Sequence, residues 1–162
     1  MDAADRKLLA DVQEYGWHKI TVSEDAEGPG FTYTIGLFHS FQHPEVIVFG
    51  LPDERMRLIV DSIAELVQSG VTLADGSESD QILEHYSCTF RAVLPVHYPA
   101  HLGYARWFYK AREFPVLQCC WPDRTGRYPW ELDCEREIIR LQPALYDPTL
   151  LPWEGAKGDG AA

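Results

Sequence analysis

The stretch Pro44-Glu45-Val46-Ile47-Val48-Phe49 is the strongest constraint this chain places on its own fold. Four apolar residues in succession, without alternation, do not suit a strand with one wet face; they suit a strand covered on both sides, at the centre of a sheet. The next twenty residues reinforce this. Behind Pro52 and Asp53, residues from about Glu54 to Ser69 place Met56, Ile59, Val60, Ile63, Leu66 and Val67 at helical spacing, and Gly70 ends the stripe. A buried strand leading directly into an amphipathic helix requires a layered α+β domain. The expected fold is a mixed or antiparallel sheet of about five strands packed by two to four helices.

The remaining elements fit around that unit. Leu8, Leu9, Val12 and Tyr15 give helical spacing over Ala3 to Tyr15, with Gly16 suited to a left-handed cap. Trp17 to Ser23 and Phe31 to Leu37 alternate as strands do, with His18, Ile20 and Val22 on one face of the first and Phe31, Tyr33, Ile35 and Leu37 on one face of the second. Residues 24–30 between them are a turn. The segment ADGSESD is loop, and Tyr86 to Leu94 and Val116 to Trp121 are further strands. Pro99 opens a short helix in which Leu102, Ala105 and Tyr109 face inward, and Glu135 to Leu141 forms a last helix. At 162 residues this is one domain over 1–154, and the small and polar residues from Gly155 to Ala162 form a disordered tail.

Charge narrows the partners. With 14 Lys and Arg against 25 Asp and Glu, the formal charge is −11. That field repels a phosphate backbone, whose affinity comes from basic residues displacing counterions, so no nucleic acid is expected. No apolar run approaches the roughly 20 residues needed to cross a bilayer, and the acidic, amphipathic start is unlike a signal peptide. A cytoplasmic location is expected. Cys88, Cys119, Cys120 and Cys134 lack CxxC spacing and are read as free, buried thiols.

The runs FTYTIGLFHSFQHPEVIVFGLP and LGYARWFYKAREFPVLQCCWPDRTGRYPWE, with the helix between them, resemble a bacterial family known as domain-of-unknown-function family 4262. The resemblance spans about Gly16 to Gln142. It implies that Tyr33, Gly36, His43, Pro44, Glu45, Tyr104, Gln118, Pro122, Asp123, Gly126 and Trp130 are motif positions, and it implies no reaction. The order of elements around the IGL and Pro-Glu motifs is also similar, more loosely, to suppressor-of-fused-like domains, some of which bind proteins. A likeness of fold does not fix function.

Several residues carry candidate chemistry. His39 with His43, and His97 with His101, are four apart, a metal-binding spacing on a helix. The first pair falls in a loop and Pro99 interrupts the second, so no metal is expected and the four are surface or hydrogen-bonding histidines. His43 and Glu45 flank Pro44 and form a candidate acid-base pair, against the reading that Glu45 satisfies backbone donors. Tyr104, Trp107, Phe108 and Tyr109 with Arg106 cannot all point inward from one helix, so some face a cleft, a partner or water. Gln118, in an apolar strand, either contacts a ligand or braces a loop. Asp123 is most simply a turn residue capping its own backbone, against a catalytic reading. No dinucleotide or P-loop motif is present.

The residues expected to bind are Tyr33, His43, Tyr104, Arg106, Trp107 and Gln118, in a cleft between the aromatic helix and the strand ends near His43 and Glu45. The expected function is a binding module for a small-molecule ligand or a protein partner. The alternatives are a small enzyme using His43 and Glu45, or a flavin-dependent oxidoreductase; the cofactor is otherwise unknown.

Overall fold

In the computed structural model, which describes residues 1–150, the sheet has six strands: β1 (His18–Val22), β2 (Phe31–Ile35), β3 (Glu45–Phe49), β4 (Glu78–Ser79), β5 (Cys88–Ala92) and β6 (Val116–Cys120). Their order is β1-β2-β3-β6-β5-β4, and only the central β3–β6 pair is parallel. The architecture is α+β, as the sequence implies. The uninterrupted apolar run is indeed central, buried at every position from Glu45 to Phe49. The sixth strand is the two-residue edge segment β4, inside the stretch expected to be loop. The tail 155–162 and the last four residues of the expected domain lie outside the described residues.

Helices α1 (Ala3–Tyr15) and α3 (Asp53–Gln68) match the sequence pattern nearly residue for residue. Asp2 and Asp5 form a reciprocal capping box at the start of α1, and Gly16 closes it at φ 92°. Asp53 and Glu54 place negative charge in the first turn of α3, where the backbone amides are unpaired. Four shorter helices bring the count among the described residues to six, above the expected two to four: α2 (Leu37–Phe41), α4 (Tyr98–His101), α5 (Gly103–Phe108) and α6 (Arg136–Leu141). Helix α6 falls on the expected last helix, the helix expected from Pro99 divides at Leu102 into α4 and α5 and ends before Tyr109, and α2, five residues long, is too short for a periodic pattern to register in sequence.

One expectation changes at the end of β2. Leu37 does not continue the strand. Gly36 adopts φ 111°, and a Cβ there would stand 2.7 Å from the Gly16 carbonyl oxygen, so the chain turns at a residue that only glycine can fill and enters α2 instead. His39 therefore sits in a short helix rather than a loop, and His43 lies beyond it.

The two faces of the sheet carry separate cores. On one, Val46, Val48, Leu117, Cys119, Cys88 and Phe90 pack under Met56, Ile59, Val60 and Ile63 of α3. Each large apolar side chain buried there contributes roughly 1.5–3 kcal/mol. On the other, Tyr33, Ile35, Ile47, Phe49 and Val116 pack against Leu8 and Val12 of α1, Leu102 and Ala105, and Leu145. Thr32 and Thr34 alternate with the apolar residues of β2 yet are fully buried, because α3 packs across β1, β2 and β3. No helix among the described residues is long and apolar enough to cross a membrane.

Candidate functional site

The sequence brings two groups of polar residues toward the α1 side of the sheet, and the structure separates their roles. The first surrounds Glu45. Pro44 turns the chain into β3 so that the Glu45 carboxylate, fully buried, accepts the amides of Gly36 at 2.9 Å, Leu37 at 3.1 Å and Phe38 at 3.2 Å. It also accepts the Thr34 hydroxyl at 2.8 Å and the Tyr109 hydroxyl. Burial pushes this carboxyl above its usual range, while the Tyr109 and Thr34 hydroxyls and the Gly36 and Phe38 amides pull it back. Tyr109, 64 positions away, in turn accepts the His39 amide at 3.2 Å. Glu45 thus ties α2 and the aromatic segment to the central strand.

His43 has different partners. Its Nδ1 donates to the Pro44 carbonyl at 2.8 Å, which leaves Nε2 to accept the Leu73 amide at 2.9 Å. Burial lowers its pKa. Leu73 belongs to the core under α3 and Tyr109 packs against the opposite one, so the two side chains flanking Pro44 diverge. Neither hydrogen bonds the other. Gln118, buried in β6, donates from Nε2 to the Pro143 carbonyl at 2.8 Å and accepts the Leu145 amide through Oε1 at 3.2 Å. Of its two sequence readings, the geometry is that of a brace. Asp123 accepts Thr125 and Arg127 amides and the Thr125 hydroxyl through Oδ1, and the Glu135 amide through Oδ2; the Thr125 hydroxyl above all holds its carboxyl well below the usual range.

The second group lines a cavity of about 810 Å³. Tyr33, Tyr104, Arg106 and Trp107, four of the six residues singled out from sequence as ligand contacts, contribute to its wall; His43 and Gln118 do not. Helix α5 divides its aromatics as the sequence requires. Ala105 is buried, Phe108 and Tyr109 are half-buried, and Tyr104 and Trp107 remain 41% and 43% exposed at the cavity. The Tyr33 hydroxyl on the floor accepts the Tyr104 amide at 3.2 Å, which fixes the start of α5 against β2. Its pKa is raised far above that of a free phenol by burial, so it stays protonated.

The cavity does not lie where the sequence suggests. The aromatic segment does run beside the loop joining β2 and β3, but that gap is filled: Phe38 meets Tyr109 edge-on at 6.0 Å, His39 meets Phe108 at 5.6 Å, and Glu45 closes the bottom. The concave space is on the opposite flank of α5, toward the β1–β2 hairpin, where Ile20, Val22, Phe31 and residues 27–29 form one wall and Pro143, Leu145 and Leu150 another. His97 and His101, expected to be surface or hydrogen-bonding histidines, are cavity residues. His97 is 2% exposed, at the end of the 3-10 turn Pro95–His97, and the His101 ring stands edge-on to Phe31 at 5.2 Å and to Phe49 at 5.3 Å. Their four-residue spacing is the sequence signal for the pair, although such spacing suggests a metal before it suggests a cavity wall. Among the described residues, no group of three or more metal-ligating side chains is assembled.

A family model described as a domain of unknown function (DUF4262) matches residues 11–135, most of the chain. Comparison with curated proteins and with solved structures finds no match.

Proposed function

The chain belongs to the DUF4262 family, whose description names no reaction, and on this geometry we propose that it is a binding module for a small molecule held in the cavity beside α5. The observation that carries this reading is the cavity itself. Its volume of about 810 Å³ falls within the range of roughly 300–1,000 Å³ typical of ligand sites, and it combines aromatic walls with a few polar groups. Tyr104 and Trp107 stand at it with large rings half in water, a costly exposure for a surface without an occupant. The enzyme alternative lacks comparable support, since His43 and Glu45 spend their hydrogen bonds on backbone and hydroxyl groups of the fold.

A direct test uses Nile red, a neutral dye that brightens in apolar surroundings. The protein is expected to bind it saturably at one site. Trp107→Ala should weaken binding by about 1–3 kcal/mol, as loss of an aromatic anchor does, with little change in the thermal unfolding midpoint. Gly103→Leu should do the same by obstruction, because Gly103 lines the cavity and a Cβ there meets no other atom within 4 Å, so the larger residue is accommodated without strain. Dye binding that is absent in the parent protein, or indifferent to both substitutions, overturns the proposal.

A further inference from the structure

The two histidines of the cavity are its least satisfied groups. Neither imidazole hydrogen bonds any other group among the described residues, and His97 Nε2 and His101 Nδ1 are sealed from solvent with no partner. Buried polar atoms are paired in the great majority of cases, because an unpaired one keeps the full cost of its lost hydration. The two residues are four apart in sequence, at the ends of the 3-10 turn and of α4, and both contribute to the cavity wall. The edge-on packing against Phe31 and Phe49 holds the His101 ring in place, so its nitrogens are fixed rather than free to seek water.

The charge of the surroundings restricts what can satisfy them. Burial lowers the pKa of both rings, that of His101 to about 4 with the neighbouring His97 adding to the effect, so both are neutral at pH 7. A neutral imidazole offers one donor and one acceptor nitrogen and no charge. Phe31 and Phe49 pack against the His101 ring and Ile20 and Leu145 add to the apolar lining of the cavity, which would desolvate an ionised group without compensating it. The charged residues that line the cavity are two exposed carboxylates, Asp25 and Glu27, and one half-buried guanidinium, Arg106, a balance that does not favour an anion.

Resting on the reading of this cavity as the binding site, we propose that its ligand is an uncharged, mainly apolar molecule with a single hydroxyl, carbonyl or amide group that hydrogen bonds to His97 and His101. The apolar body fills the space between Phe31, Trp107 and Leu145, and the polar group pairs with the ring nitrogens that are neither sealed nor bonded to the protein, His97 Nδ1 and His101 Nε2.

Three probes of one size separate the terms: naphthalene, 2-naphthol and 2-naphthoate, titrated at pH 7 into the full chain by calorimetry or by Trp fluorescence. The neutral alcohol is expected to bind about tenfold more tightly than the hydrocarbon, the gain of one well-formed buried hydrogen bond, and more tightly than the carboxylate. In His97→Phe and His101→Phe that preference should fall to within about twofold, while Trp107→Ala weakens naphthol and naphthalene alike; either histidine variant that folds is sufficient. A carboxylate that binds as tightly as the alcohol, or a preference for the alcohol that survives both histidine substitutions, overturns the assignment of the ligand class. Failure of all three probes to bind overturns instead the cavity as the binding site.

Discussion

The two faces of the sheet are covered by different means, and the difference explains where a ligand has room. Over Val46, Val48 and Leu117 lies one 16-residue helix, α3, whose stripe of Met56, Ile59, Val60, Ile63 and Val67 meets the strands along its whole length. The other face is covered in pieces: α1 near β1, the short α4 and α5 over β2, and residues 143–150 beyond them. A long regular helix presents side chains at fixed spacing and interdigitates without gaps. Short segments joined by turns cannot, and the concavity left between them is the cavity.

The largest measurable consequence should be a difference in tolerance to truncation. Ile63→Ala, in the sealed layer, is expected to lose roughly 3–5 kcal/mol in urea unfolding, the upper part of the range for a site that cannot collapse. Phe31→Ala, on the open face, removes more atoms yet leaves space continuous with the cavity, and should cost under about 2 kcal/mol by the same measurement. Equal losses at the two sites break the contrast.

Acid should act on the open face next. The folded-state pKa of His101 lies below its unfolded value, so the unfolded chain takes up the proton first, and stability present above about pH 6.5 is lost as pH falls toward 4. A shift of this size corresponds to about 3 kcal/mol across that window. His97 adds in the same sense and Glu45, raised by burial, opposes it, so the quantity to follow is the difference between the parent protein and His101→Phe in urea midpoints from pH 7 to pH 4.5. Identical pH profiles would mean that His101 is solvated.

A smaller effect sharpens the boundary between the regions. Glu45→Gln keeps the shape but turns one acceptor into a donor facing backbone amides, at an expected cost of about 2 kcal/mol in urea unfolding. Amide hydrogen exchange should then speed up at residues 36–38 while the amides of β3 and β6 remain protected. Loss of protection in those strands as well would show the clasp to belong to the core rather than to its edge.

What is legible in the sequence divides along the same line. The α3 stripe, the run from Val46 to Phe49 and the glycine closing α1 depend on neighbours within a few residues, and pattern reasoning finds them. The roles of Glu45, Gln118 and the histidines depend on partners far along the chain: Tyr109 lies 64 residues from Glu45, and Leu145 lies 27 from Gln118. Tyr104 and Trp107 can be placed at a cleft because four large rings in six residues exceed what one helix face can bury. Which flank of α5 opens cannot be read from the sequence, because it depends on Phe38 and His39 filling the other.

The brace at Gln118 has one more consequence. It holds Pro143 and Leu145 through their backbone carbonyl and amide, groups that other residue types would present equally. The glutamine lies within the stretch shared with the family, while the strip it carries falls outside residues 11–135. One side of the chamber is therefore fastened to the sheet through main-chain atoms, so the fastening does not depend on which side chains that strip presents to the cavity.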